Sequence, residues 1–179
     1  DILVDRVENA KESQEDAQEQ FSSALEAFSA AVAFDGGELE DIYDRLNGQY
    51  EDSVAASEEV SARIDKVESV AEALFDEWSE ELEKYENASL KRDSSAKLRE
   101  TQRRYASLMK AMRKAESKMP PVLSALQDNV LYLKHNLNAS AIGALQGELS
   151  TIENNVAQLI GQMNSAIAES DAFIASMKN

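Results

Sequence analysis

Cysteine is absent from this chain of 179 residues, and helix-breaking residues are scarce, with 2 prolines and 6 glycines. The lack of cysteine excludes disulfides, cysteine-ligated zinc sites and thiol nucleophiles. A single histidine likewise excludes the usual multi-histidine metal site. Because so few residues interrupt a helix, the chain can form unusually long helical segments.

Long apolar runs are also missing, since the longest spans only a few residues and is far too short to cross a membrane. Hydrophobic residues still make up 43% of the chain and charged residues 29%. This balance is too apolar for disorder and is typical of long helices that each carry one apolar stripe. No segment sustains an alternation of apolar and polar residues, so no β-sheet is predicted.

A heptad-like stripe marks the first segment, in which apolar positions alternate by three and four residues. Gln14 is the only polar member of the stripe, whose positions are Val7, Ala10, Gln14, Ala17, Phe21, Ala24, Phe28 and Ala31. This spacing keeps one side of a helix against its neighbour. Similar stripes recur in three later segments. In the third, the stripe is formed by Leu98, Tyr105, Met109, Met112, Met119, Leu123, Leu126, Val130, Leu133 and Leu137. We therefore predict an all-α fold, an elongated antiparallel bundle of about four long helices with coiled-coil-like packing in one domain covering residues 1–179.

The helix boundaries follow from turn-forming residues, which predict helices at roughly 1–34, 38–87, 94–136 with a kink at 120–121, and 140–178. The sequence at 35–37 contains two glycines, and the segment 87–95 is rich in Asn and Ser. Residues 120 and 121 are prolines, and 136–140 is a further turn candidate. The alternative to a turn at 87–95 is one continuous helix from Tyr50 to Met119.

Short turns force neighbouring helices to run antiparallel. With the predicted boundaries, all four helices overlap only in the middle of the molecule, and the second and third extend beyond the other two. The bundle should therefore taper to a helical hairpin tip, with both chain ends pointing toward it.

Charge is strongly segregated along the chain, whose net charge is −16. Residues 1–87 contain 26 acidic and 6 basic residues, whereas residues 88–119 contain 10 basic and 3 acidic ones. The overall charge argues against binding to nucleic acid. The basic stretch has two interpretations. It can pair with the acidic second helix, for example Arg113 with Glu68, and Lys97 or Arg104 with Glu81, or it can contact an anionic partner.

The second interpretation predicts a contact site for phosphate head groups or an acidic protein at the tip. Its candidate residues are Lys91, Arg92, Lys97, Arg99, Arg103 and Arg104.

Residues for chemistry are not evident, so the sequence predicts no catalytic residue, no metal site, no cofactor and no enzyme. His135 lies beside a predicted helix end, where it would stabilise the negative end of the helix dipole. Acidic pairs such as Glu58 and Glu59 lie opposite the apolar stripe, which indicates a solvated face. The chain contains no P-loop, no dinucleotide-binding glycine motif and no Gly-x-Ser-x-Gly.

A family resemblance covers essentially the whole chain and is carried by residues 1–8 (DILVDRVE), 34–37 (FDGG), 50–56 (YEDSVAA) and 128–139 (DNVLYLKHNLNA). In these segments the chain resembles a domain-of-unknown-function family of uncharacterised proteins from Gram-negative gamma-proteobacteria that look like lipoproteins. The resemblance implies an upstream signal peptide and lipidated Cys, and hence a periplasmic protein tethered to a membrane. It implies no catalytic residue.

Together these features predict a non-catalytic structural or adaptor protein of the cell envelope that acts through helix-mediated protein interactions. The partner would be an unknown protein or a second copy of the chain, and an upstream lipid anchor would add a membrane surface. The alternatives are contact with an anionic membrane, self-assembly as a coiled coil and, more remotely, metal binding by a helical protein.

Overall fold

Five α-helices make up the fold in a computed structural model that describes residues 1–33 and 36–178. Their bounds are α1 Ile2–Val32, α2 Leu39–Leu82, α3 Ala88–Glu116, α4 Met119–His135 and α5 Ala139–Lys178. No β-strand occurs among the described residues. Because α3 and α4 follow each other along one arm, the helices form four arms. The predicted all-α bundle is confirmed.

The four arms form a bundle in which each arm contacts two neighbours. α1 packs against α2 and α5, and these two helices both pack against the α3–α4 arm. Neighbouring arms run antiparallel. At one level of the bundle Gln20 hydrogen-bonds to Gln49 on α2, and at another Gln18 hydrogen-bonds to Asn164 on α5. α1 and the α3–α4 arm are therefore diagonal partners that meet only through the core.

The core confirms the stripe predicted for α1, since all eight of its members are buried. Phe21 and Phe28 are the largest of them and are almost completely inaccessible to solvent. Gln14 is fully buried as well, although its amide is polar. The alternation of small residues with phenylalanine lets α2 and α5 approach α1 closely while the rings fill the space between the arms.

Glycines form the connection between α1 and α2, as the sequence predicts. Gly36 and Gly37 adopt φ angles of 115° and 119°, a left-handed region that disfavours side chains. α1 ends at Val32, and its predicted last residue, Phe34, lies outside the described residues together with Asp35.

The connection between α2 and α3 occupies residues 83–87, earlier in the chain than the sequence predicts. Residues 88–95, predicted as part of a turn, are helical instead. The reason is Asn87, whose side-chain Oδ1 accepts hydrogen bonds from the backbone N–H groups of Ser89 at 3.0 Å and Leu90 at 3.1 Å. Asn87 thus acts as an N-cap that starts a helix. A continuous helix from Tyr50 to Met119 is excluded.

Replacing Asn87 by alanine removes this cap and leaves two backbone N–H groups without their protein acceptor. We expect the free energy of unfolding to fall by about 1 kcal/mol, measured by urea denaturation followed by circular dichroism. Ser89→Ala is the matched control, because the Ser89 hydroxyl makes no comparable hydrogen bond within the described part of the chain. Equal losses in the two variants would show that the cap does not stabilise the hairpin.

The two prolines also act at a helix start. The chain forms a turn at residues 117–118, whose dihedral angles stay in the right-handed helical region, just before the kink predicted at 120–121. Pro120 and Pro121 occupy the first turn of α4. A proline is tolerated there because the first N–H groups of a helix have no intrahelical acceptor. At the other end of α4, Asn138 accepts a hydrogen bond from the N–H of Ala141 at 3.2 Å and helps to start α5.

The bundle tapers where α2 and α3 extend past the other helices. The last buried residue of α2 is Ala71 and the first of α3 is Leu98. Near these two residues, α2 and α3 contact each other through half-buried aromatic side chains. The rings of Phe75 and Tyr105 pack edge to face with centroids 5.4 Å apart, and Trp78 Nε1 donates to Ser94 Oγ at 2.9 Å. The start of α1 still lies against Leu74 and Glu77, and α5 still reaches the level of Arg103, so only the far end of the pair consists of two helices. We call this end, residues 78–97, the hairpin tip.

Candidate functional site

The outer side of α3 carries a row of cations, which we call the basic face. Its members are exposed and recur at intervals of seven and four residues, a spacing that keeps them on one side of a helix. At 1.5 Å per residue the row is about 33 Å long. The acidic residues within this stretch, Asp93 and Glu100, lie off the row, whose members are Arg92, Arg99, Arg103, Lys110 and Lys114.

The buried residues of α3 explain why these cations point outward. They lie on the opposite side of the helix and pack against α2 and α5. Since this packing fixes the rotation of α3 about its own axis, the basic face must point to solvent. The buried set is Leu98, Leu108, Met109, Met112 and Ala115.

Only three of the six predicted site residues, Arg92, Arg99 and Arg103, lie on the basic face. The helical period places the other three away from the basic face, with Lys91 on one side of α3 and Lys97 and Arg104 on another. Lys91 reaches across the hairpin to Glu83 at 3.7 Å, and Lys97 pairs with Asp93 of its own helix at 3.1 Å. Arg104 lies on the side that faces α5.

A cleft of about 210 Å³ separates α3 from α5 beside the basic face and is lined by Arg103, Arg104 and Glu169. Both arginines already bind Glu100, with Arg104 Nε at 2.9 Å from its Oε1. Hydrogen bonds from Arg104 and then Arg103 lower the pKa of Glu100. A small anion in the cleft would compete with Glu100 and face the carboxylate of Glu169. The arrangement therefore suits an extended anionic surface better than a small ligand.

Ion pairing between α2 and α3, the other interpretation of the basic stretch, is centred on Arg113. Arg113 Nη2 lies 2.9 Å from Asp65 Oδ1 and 3.2 Å from Glu68 Oε2, which confirms the predicted pair with Glu68. Burial lowers the pKa of Arg113, but its hydrogen bonds to carboxylates, including Asp65 and Glu68, together raise the pKa by more. The net shift of the pKa is therefore upward. Lys97 and Arg104 pair within α3 and not with Glu81.

Most of the basic face is not neutralised by this pairing. Within residues 1–33 and 36–178, Arg92, Lys110 and Lys114 have no carboxylate within 4.0 Å. Arg99 donates to Ser95 Oγ at 2.9 Å but forms no ion pair in the same part of the chain. Lys110 and Lys114 were not among the predicted site residues. The repeat of seven and four residues starting at Arg92 is the signal that would have identified them.

Groups suited to chemistry are few in the described structure. Among its residues, no group of three or more His, Cys, Asp or Glu could hold a metal ion. Burial, then the charges of Glu68 and Glu72, raises the pKa of Tyr105 to about 12, so its hydroxyl stays protonated at neutral pH. His135 is the exposed last residue of α4, where a cation would stabilise the helix dipole.

The described helices were also compared with the length and hydropathy that a membrane span requires. None of them is both long and apolar enough to cross a bilayer.

Comparison with known proteins identifies the family of the chain. Neither the curated proteins nor the solved structures contain a match to it. The family model described as "Protein of unknown function (DUF2959)" matches residues 1–177. This match agrees with the resemblance to a domain-of-unknown-function family seen in the sequence, and the chain belongs to the DUF2959 family.

Proposed function

We propose that this protein is a non-catalytic structural or adaptor protein that binds an anionic macromolecular partner through the basic face of α3. The observation that carries the proposal is the row of five exposed cations in a protein of net charge −16, four of which have no carboxylate partner in the described structure. A line of positive charge of this length matches an extended partner.

Stability alone does not account for such a row. Arg99 with Arg103, and Lys110 with Lys114, are like charges four residues apart on one helix face. Pairs of this kind destabilise a helix by about 0.2–0.5 kcal/mol each. A feature that slightly weakens the isolated molecule is expected where it serves binding. The packing of α3 against α2 and α5 keeps the cations in line, which favours fast, charge-steered association.

Location in the cell envelope is a second part of the proposal and rests on the resemblance to lipoproteins. A lipid on an upstream Cys would tether the chain to a membrane, with the domain in the periplasm. α1 starts beside Val70 and Leu74 of α2, next to the hairpin tip, so a tether that leaves from Asp1 would keep the tip near the membrane. Labelling of the full-length protein with a fatty-acid analogue tests this part, and absence of label would contradict it.

A photocrosslinking amino acid in place of Lys110, incorporated into the full-length protein in cells, tests the binding function. We expect covalent adducts from this position and none from Ser23, an exposed residue of α1, which lies diagonally across the bundle. Adding Arg99→Glu and Arg103→Glu should reduce the adduct yield about 10-fold or more, because charge reversal at a charge-steered interface replaces attraction by repulsion. Equal adduct yields from positions 110 and 23 would contradict the proposal, as would an adduct yield from position 110 that the charge reversals leave unchanged.

A further inference from the structure

A row of carboxylates runs beside the basic face, along the outer side of α2. We call it the acidic face and define it by Asp65, Glu72, Asp76 and Glu80, all of which are exposed. Their spacing of seven, four and four residues keeps them on one side of the helix. Asp65 is bound by Arg113 of α3, so this side of α2 borders α3. One surface of the bundle therefore carries an acidic and a basic row in parallel.

The two rows are in register. Contacts between α2 and α3 fix which residues lie at the same height, since Asp65 meets Arg113 and Phe75 meets Tyr105. The hydrogen bond from Trp78 to Ser94 fixes a third height, and around these three contacts each carboxylate of the acidic face has a cation of the basic face within one helical turn of its height. The matched heights are those of Lys114 with Asp65, Lys110 with Glu72, Arg103 with Asp76 and Arg92 with Glu80.

Most of these matched residues form no ion pair in the described part of the chain; the exceptions are Asp65, which is bound by Arg113, and Arg103, which is bound by Glu100. In the part of the chain that the structure describes, Glu72, Asp76 and Glu80 form no ion pair with any basic residue. The reason is geometric. Neighbouring helix axes lie about 8–10 Å apart, and side chains that point outward from two such axes do not meet. Most charges of both rows are thus available to another molecule.

We propose that a second copy of this chain docks on the surface formed by α2 and α3 and makes a closed two-fold dimer; this identifies the partner in the proposed function and rests on it. The two-fold axis lies outside the bundle, in front of the groove between α2 and α3 and parallel to both helices. A half-turn about it places the basic face of each copy opposite the acidic face of the other. Such a rotation leaves every height unchanged, so the four matched heights become four cation–carboxylate pairs in each half of the interface. The contact is self-complementary and closes at two copies.

A second copy fits this surface better than an anionic bilayer does. The acidic face lies within about one Debye length of the basic face at 0.1 M salt, where that length is about 10 Å. A bilayer that approaches the cations would therefore also meet the carboxylates, whereas a second copy makes both rows attractive. The outward residues between the cations include Ala96, Ala106 and Ser107, which allow close helix approach but provide no large apolar side chain to enter a membrane.

Charge-swap complementation tests the dimer. One variant carries Arg103→Glu and Lys110→Glu, and the other carries Glu72→Lys and Asp76→Lys, with folding checked by circular dichroism. We expect the unaltered protein to sediment as a dimer at low salt and to dissociate near 1 M salt, where the Debye length is about 3 Å. Each variant alone should self-associate about 100-fold more weakly, because exposed pairs become repulsive in both halves. An equimolar mixture should form a heterodimer, since every altered pair regains opposite charges.

Several results would overturn the dimer. A monomer at every salt concentration would do so, as would dimers in both single variants, assemblies larger than two copies, or a mixture that stays monomeric. A monomer that sediments with vesicles of anionic lipid, and loses that binding only in the Arg103→Glu, Lys110→Glu variant, would replace the second copy with a membrane. In that case the function proposed for the basic face would stand, whereas loss of all position-110 adducts would remove both proposals.

Discussion

Replacing Gln14 by methionine is expected to raise the free energy of unfolding by about 1–3 kcal/mol. Gln14 is completely buried in the α1 stripe, and neither its Nε2 nor its Oε1 has a hydrogen-bond partner in the described structure. An amide that loses its water on folding and gains no protein partner costs free energy. Methionine has a similar length and flexibility, so it can occupy the same space without that cost. Urea denaturation measures the difference.

Gln18→Met is the matched control for this prediction. Gln18 lies one turn further along α1, but its Nε2 donates to Asn164 Oδ1 at 2.7 Å and to the carbonyl oxygen of Ile160 at 3.3 Å. Its replacement removes satisfied hydrogen bonds and should lower stability slightly. If Gln14→Met also fails to stabilise, the amide of Gln14 must hydrogen-bond to water held inside the bundle.

A polar residue in the seam of a bundle often limits the registers that its helices can adopt. We therefore expect Gln14→Met to stabilise the fold while it weakens the discrimination between the observed pairing of α1 and pairings shifted by one heptad. Gln14 would then act as a specificity device that lowers stability.

Truncation of Phe21 to alanine is expected to have the largest effect, a loss of about 3–5 kcal/mol in the free energy of unfolding. Its ring is fully buried where α1 contacts α2 and α5, so its removal loses apolar burial and leaves a cavity. The change should appear as a lower urea midpoint with an unchanged slope, because the surface exposed on unfolding stays nearly the same.

Phe75→Ala provides the comparison within the same molecule. Phe75 contacts Tyr105 at the base of the hairpin tip, close to the start of α1, and its ring is only half-buried. Its truncation should cost clearly less than that of Phe21, since water can fill the space that the ring leaves. Equal losses in the free energy of unfolding would indicate that the base of the tip is as tightly packed as the middle of the bundle.

Periodicity in the sequence was enough to predict the core of α1, because a buried helix face repeats with the helical period. The third segment is predicted less completely. Leu108, Ala115 and Val122 are buried but fall outside the predicted stripe, and Leu137, which was assigned to the stripe, is 46% exposed. Buried positions 108, 112, 115, 119, 122, 126, 129 and 133 continue one alternation of three and four residues across the turn at 117–118. The predicted stripe missed part of this face because it followed the larger side chains of Met109 and Leu123, each one position away.

The candidate site was predicted only in part, for a similar reason. Nearness in sequence grouped Lys91, Arg92 and Lys97, although they lie on three sides of α3. Which side of α3 faces solvent depends on its packing against α2 and α5, and no pattern within α3 alone contains that information. The start of α3 at Asn87 was also missed, because an asparagine among serines favours a turn and a helix N-cap equally.

The pairing of α1 with α5 joins the two ends of the chain, as the hydrogen bond from Gln18 to Asn164 shows across 146 positions. All other neighbouring arms are consecutive in sequence and can pair as soon as their connecting turn forms. Bringing distant segments together costs chain entropy before any contact repays it. The bundle should therefore assemble from its hairpins inward, and the α1–α5 contact should be the last to close during folding.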